Sequence, residues 1–549
     1  MKNNLESLIH RKISRRKAIK TLSGTVAATL LSSVLPENFL NIISRNNSRH
    51  GKISFKPIEA SDLDELILPE GFSYNVIRKW GDKISDNEYY GYNNDYCIYL
   101  PIDMPQKGNN SEDGLLFINH EYPHPLFVSG YTLDDLRNGK PKSAKQVELE
   151  KKSMGVSIFR VRKQNGNWSF VNDPLNRRYD GYSRILLSGD ASGSEEVKFA
   201  RECTGTVQNC SGGITPWGTV LSAEENFQDC LNPNDLRWGD ADKNFIEEHY
   251  GWMVEFNPFD PAYIPKKRTS LGRFRHENIA VITAADGRVV CYMGDDKSDE
   301  HVYKFVSSDI YNPVSPDPDI LDKGILYAAD FKNSRWLAMD YNSSPILRNN
   351  FRSQADVLVR CSEAAGYLGA TECNRPEDIE INPMDNSVFI AFTNNYNKDD
   401  HHGSIVRLIE KNNDHTSEEF TWEVFATGGA ASGFSCPDNL YFDSSGNLWV
   451  LSDIGTSALN RGIYREFKNN SLFMIPTCGE NKGRPMRFAS GPVDSEMCGV
   501  CFTPDEKTMF LSIQHPGENT TDISNPTSRW PLFGNDIPRP AVVTITGFK

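Results

Sequence analysis

Acidic and other polar side chains recur in this chain at the ends of short apolar runs. Six segments carry the pattern: GLLFINHE from Gly114, GTVLSAEE from Gly218, GRVVCYMGDD from Gly287, NSVFIAFTNN from Asn386, GNLWVLSD from Gly446 and KTMFLSIQH from Lys507. Another short apolar run precedes most of them, and in a hairpin the start of the first strand neighbours the end of the second. That rule groups Cys210 with Glu224 and Glu225, and His276 and Glu277 with Asp295 and Asp296. It also groups Arg375, Glu377 and Asp378 with Asn394, Asp438 and Asn439 with Asp453, and Glu496 with Gln514 and His515; His120 and Glu121 end the first segment. One acidic strand end is an ordinary solvated turn. Six in phase would repel one another unless cations bridged them, so the pattern points to a multimetal site. Carboxylate and Asn oxygens suit Ca²⁺. A lone thiolate, Cys210 in NCSGGITPWGT, suits iron or another transition ion. Arg375 beside Glu377 adds a planar fork that reads phosphate oxygens, although a surface pairing with Glu372 or Asp378 is the plainer alternative. Carboxylates, cations and an arginine together describe phosphoryl chemistry. The Pro after Arg375 biases that residue towards an extended backbone.

Elements must hold these groups in phase. Each segment begins at a turn signal such as EDG, ADG, MDN or SSG, so the repeating unit is strand, tight turn, strand. Six copies at spacings of 104, 69, 99, 60 and 61 residues predict an all-β, six-bladed β-propeller with a few inserted loops and short helices. The long gaps, roughly 135–200 and 300–365, would hold outer strands and insertions. A sandwich or two smaller β domains are the alternatives. In a propeller the second-strand ends Glu121, Glu225, Asp296, Asn394, Asp453 and His515 should surround one mouth of a central channel.

The formal charge of −14 argues against a nucleic-acid partner, which needs a basic surface. No GxxxxGK[ST] or GxSxG stretch offers a nucleotide loop or a serine nucleophile. Of the eleven cysteines, Cys498 and Cys501 form one CGVC, for which core burial is the plain reading over zinc or redox work. SRRKAIK at 14–20, followed by an apolar stretch from Leu22 to Leu35, matches a twin-arginine export signal. Residues 1–45 therefore read as signal region and linker, and 46–549 as a single propeller catalytic domain. No later segment is long and apolar enough to span a membrane.

The strings NCSGGITPWGTVLSAEENF, GRFRHENIAV, CNRPEDIEI, CPDNLYFD and FTPDEKTMFLSIQHPGE resemble, in order, the PhoX-type alkaline phosphatases. The resemblance runs from about residue 60 to 520; GPVDSEMCGV in the last repeat is its loosest part. It implies a twin-arginine-exported, six-bladed propeller, periplasmic or extracellular and monomeric, that releases phosphate from small phosphate monoesters. It also implies two Fe³⁺, three Ca²⁺ and a bridging oxo group. By that resemblance Cys210 bridges the irons, Glu225, Glu277 and Glu377 are metal ligands, with Cys210, Glu277 and Glu377 expected in one shared ligand shell, and Arg375 holds the substrate phosphate. Glu121, Asp438, Asn439 and Glu496 are further ligands, and Arg375, Cys210, Glu277 and Glu377 form the catalytic set. Two other readings of the residues remain: a calcium-dependent propeller hydrolase (lactonase or phosphotriesterase), and a noncatalytic, metal-stabilised binding propeller.

Overall fold

The computed structural model describes residues 4–13, 53–231 and 245–549. The expected export signal and the boundary at residue 45 lie outside the described residues. Six sheets follow one another along the chain, antiparallel but for one parallel pair, Arg184–Ser188 with Lys266–Arg268 in blade two, as a six-bladed propeller requires. Their inner strands are Asn94–Pro101, Asn209–Ile214, Ala280–Thr283, Pro376–Ile381, Pro437–Phe442 and Glu496–Phe502. All six segments picked out above are the second strands of their blades: Asp113–His120, Val220–Glu224, Arg288–Gly294, Val388–Phe392, Asn447–Ser452 and Thr508–Gln514. Blade six is closed by Ser73–Lys79, which pairs with Ala541–Thr546, so both ends of the domain share one sheet. The longer intervals hold outer strands and short helices, among them Ala144–Ser153 in blade one and Cys361–Leu368 between blades three and four.

Packing explains why the second strands read as unbroken apolar runs. Successive side chains point to opposite faces, and both faces of a blade are buried against neighbours. Val289, Cys291 and Met293 pack towards blade two with Leu221 and Ala223, while Val290 and Tyr292 pack towards blade four with Ile379 and Ile390. Equivalent apolar layers fill the other four interfaces. These layers hold the blades' inner edges in a fixed relation around the channel.

Each inner strand carries one extra residue near its start. In blade one Asn94 pairs with His120 and Cys97 with Ile118, so three steps on the inner strand match two on its neighbour. The same bulge occurs in blades two, four and five, and in blade three between the His276–Asp295 bridge and the Ala280–Tyr292 pair; in blade six it lies two residues further along, between Cys498 and Cys501. Bulges re-aim side chains out of strict alternation. The first residue past the paired position is Asp95, Cys210, Glu277, Glu377, Asp438 and Gly499 in blades one to six.

Candidate metal centre and active site

Five consecutive blades thus present a carboxylate or thiol at one equivalent position. The ends of the second strands add Glu121, Glu225, Asp296, Asp453 and His515. Together with Arg375, Glu496 and Glu518 they line a single cavity of about 190 Å³. Ten carboxylates face it: Asp95, Glu121, Glu225, Glu277, Asp296, Glu377, Asp438, Asp453, Glu496 and Glu518. Asn394 ends its strand at the same side but stays out of the cavity, with its Nδ2 against Cys436 Sγ at 3.6 Å.

Ligand atoms lie close enough to share ions. Asp95, Glu121 and Cys210 bring one atom each within 4.8 Å of the others, and so do Cys210, Glu225 and Glu277. Glu277, Asp296 and Glu377 form a third such group, and Asp438, Glu496 and Cys498 a fourth. Cys210 and Glu377 therefore do not meet in one shell, as their motifs suggested. They flank Glu277 in two adjoining groups, because the bulge positions of blades two and four are separated by that of blade three. Cys210 is a free thiol with its Sγ 3.3 and 3.4 Å from the Glu277 oxygens and 3.5 Å from Asp95 Oδ2.

The electrostatics are those of a site built for cations. Burial first, and neighbouring carboxylates second, push Glu225, Glu277, Asp438 and Glu496 well above the usual carboxylate range. Burial also raises Asp95 to about 6, and burial with the Asp95 charge takes Glu121 to about 8. Burial pushes the Cys210 thiol well up, and the surrounding carboxylates add to this. Asp95 Oδ1 is buried without an aligned hydrogen-bond partner, an unusual loss unless an ion takes that place. A thiol and massed oxygen donors with an orphaned oxygen fit a mixed transition-metal and calcium cluster.

Arg375 sits over this cluster but is not extended. Its φ is +50°, left-handed despite the following proline. Asn93, Gln208 and Cys436 take the same turn immediately before the inner strands of their blades, so a shared strand entry outweighs the local preference. The guanidinium does not pair with Glu372 or Asp378. Its Nε and Nη2 donate to the two Asp296 oxygens at 2.9 and 2.8 Å. Nη2 also lies 2.6 Å from Glu377 Oε1, and Nη1 lies 3.6 Å from Asp453 Oδ2. Burial opposes the Asp296 charge, but Arg375 outweighs it and holds that carboxyl below the usual range.

Asn439 touches the other expected ligands, its Nδ2 3.4 Å from Glu277 Oε1, but does not line their cavity. Its Oδ1 accepts the Gly499 N–H at 2.9 Å and its Nδ2 donates to Asp438 Oδ1 at 3.0 Å. It occupies the second bulge residue and faces a separate cavity further along the inner strands, as does Asp378. His276 is also withdrawn: it stacks on Phe274 and bonds the Gly272 carbonyl. Asp95 was missed in the sequence, because the loop from Ile102 to Glu112 hides the first hairpin. The signal was there in NNDYCIYLP, a polar start followed by an apolar strand.

The alkaline phosphatase PhoX family model matches residues 53–517. The chain belongs to the PhoX alkaline phosphatase family. A Pseudomonas fluorescens PhoX structure, determined in complex with vanadate, a transition state analogue, is 32% identical, with a TM-score of 0.80 over 90% of this chain and 98% of that one. A Xanthomonas campestris gluconolactonase covers the same shares at 8% identity and a TM-score of 0.35, which carries no functional weight. Comparison with the curated proteins gives no match. The PhoX membership makes the protein a phosphatase, implies metal-dependent catalysis, and sets aside the lactonase and noncatalytic readings.

Proposed function

We propose that this PhoX-family protein is exported by the twin-arginine route and hydrolyses small phosphate monoesters to inorganic phosphate at the channel mouth. Its cofactors would be two Fe³⁺, three Ca²⁺ and a bridging oxo group. The observation that carries the reading is the convergence of Asp95, Cys210, Glu277, Glu377 and Asp438, one per blade, beneath the Arg375 guanidinium. Cys210 with Glu225, Glu277, Asp296 and Glu377 would hold the irons, and Asp95, Glu121, Asp438 and Glu496 are the further donors. When bound, such ions neutralise the massed carboxylates, polarise phosphoryl oxygens and make an oxygen nucleophile available near neutral pH.

The protein's own side chains supply orientation. Asp296 spends the Nε–Nη2 edge of Arg375 and fixes its plane, leaving Nη1 to donate to a phosphoryl oxygen. The clamp is therefore not the free two-toothed fork that sequence alone suggested. Charge that spreads over the equatorial oxygens during transfer meets a donor already aimed, at little reorganisation cost. On the rim, Tyr122 OH donates to Glu518 Oε1 at 2.5 Å and His515 Nδ1 lies 3.6 Å from Glu518 Oε2, fixing the polar wall a leaving group would pass.

The test is turnover of 4-nitrophenyl phosphate beside bis(4-nitrophenyl) phosphate and a simple lactone, before and after chelation. Monoester hydrolysis that is lost on chelation and restored by Ca²⁺ is expected. Faster turnover of the diester or lactone, or activity indifferent to chelation, would overturn the assignment.

A further inference from the structure

In blade six the sequence of donors breaks step. Its bulge lies two residues further along the inner strand than in the other blades, between Cys498 and Cys501, so Glu496, Met497 and Cys498 keep regular pairing and the first bulge residue is Gly499, with φ +54°. A Cβ there would lie 2.3 Å from Cys97 N and 2.6 Å from Asp95 O, so backbone of blade one occupies the space of a side chain. The blade instead offers the preceding residue, Cys498, whose thiol is wholly buried.

The surroundings of Cys498 are not those of a small apolar filler. Its Sγ is 3.3 Å from Glu496 Oε1 and 3.5 Å from Gln514 Oε1. Asp438, Glu496 and Cys498 bring their ligand atoms within 4.8 Å of one another. Asp95, 2% exposed, reaches the Cys498 thiol as well as Cys210, and its Oδ1 has no aligned partner. A buried carboxylate with one unpartnered oxygen thus borders a thiol that itself lies against Glu496 and Asp438.

We propose that Asp438, Glu496 and Cys498 form a second sulfur-containing metal site, with Asp95 between it and Cys210. The site would take a borderline ion such as Fe²⁺, Zn²⁺ or Co²⁺ in place of Ca²⁺. Calcium binds oxygen donors, whereas thiolate selects transition ions. Binding transfers the thiol proton to solvent and leaves a metal–thiolate bond. The proposal rests on the multimetal reading above, and gives one of its positions to a transition ion.

Metal content of the holoenzyme as isolated, and sulfur-to-cobalt charge-transfer absorption after chelation and refilling with Co²⁺ alone, test the site. Cys498→Ser should lose about one equivalent of transition metal and about half of the charge-transfer band. Cys210→Ser should keep the other half, and the double variant should lose it all. Cys498→Asp, which keeps an anionic donor against misfolding, should hold the same number of ions with calcium in place of the transition ion. Cys498 variants with the wild-type band and metal content would overturn the site, as would loss of the whole band in Cys210→Ser. An active monoesterase with that outcome loses only the second site. A band divided between the two thiols in a protein without monoesterase activity supports the site and overturns the phosphatase reading instead.

Discussion

Arg375→Lys separates charge from shape at the channel mouth. The lysine keeps the positive charge among Asp296, Glu377 and Asp453 but offers a point donor on a flexible stem. Three features of the wild-type geometry disappear together: the two parallel bonds to Asp296, the close approach to Glu377 and the aimed Nη1. An aimed donor at developing negative charge is worth about 2.7–4 kcal/mol, or roughly 10²- to 10³-fold in turnover. Lysine recovers part of the Coulomb attraction, so the expected loss in kcat is about 10- to 10³-fold. The fold cost should be small by comparison, because the carboxylates keep a cation and the side chain is 26% exposed. The assay is steady-state hydrolysis of an aryl phosphate on protein whose metal content has been measured, with inhibition by phosphate and vanadate. A fall in kcat at unchanged metal content, with weaker vanadate inhibition, is expected. Wild-type kcat with unchanged inhibition would refute the clamp and reduce Arg375 to a brace for Asp296.

Chelated protein should lose stability as pH rises from about 5 to 8. Glu121 goes from an ordinary 4.5 to about 8 on folding, and Asp95 from 3.8 to about 6, so the folded state binds more protons in that window and its stability falls with pH. Added Ca²⁺ should therefore raise the melting temperature more at pH 8 than at pH 5; equal shifts would count against a shared cation site. Gly499→Ala should cost at least ~1–2 kcal/mol by urea unfolding and lower metal content, since the left-handed φ and the backbone of Asp95 and Cys97 both oppose a Cβ. Lys267→Met should cost about 3–5 kcal/mol, because its Nζ sits 2.7 Å from Glu224 Oε1 with both side chains fully buried. Adding Glu224→Gln should recover part of that loss in the same unfolding assay.

The blade count was legible because each second strand is buried on both faces and so appears as an apolar run cut off by polar residues. Val289 to Met293 could be no other element in a chain without long helical periodicity. The closing strand Ser73–Lys79 was not legible: its pairing with Ala541–Thr546 spans almost the whole chain, and nothing local in SYNVIRK announces it. Glu121, Glu225, Asp296, Asp453 and His515 were found because they end those conspicuous strands. Asp95 and Cys498 escaped for different reasons. One sits behind a long hairpin loop, and the other looks like a core cysteine until its place beside Glu496 and Asp438 is seen.

The bulges explain how a structure of alternating strands can concentrate donors on one side. In a regular inner strand Glu377 and Asp378 would point to opposite faces, each towards a neighbouring blade's apolar layer. The extra residue turns the first into the mouth and leaves the second to accept Leu440 N at 3.1 Å, across the seam to blade five. Asn439 does the equivalent for blade six through Gly499 N. In blades three, four and five the bulge therefore supplies one side chain to the cavity and one to the joint with the next blade. The consequence is mechanical as well as chemical: a change of ion at one blade pulls on a residue adjacent to the one that pins the next. Substituting the pinning residue, as in Asp378→Asn, should then disturb the occupancy set by Asp438 in blade five more than that set by Cys210 in blade two. Metal analysis of that variant showing loss at the Cys210 site first, with the Asp438 site intact, would contradict this coupling.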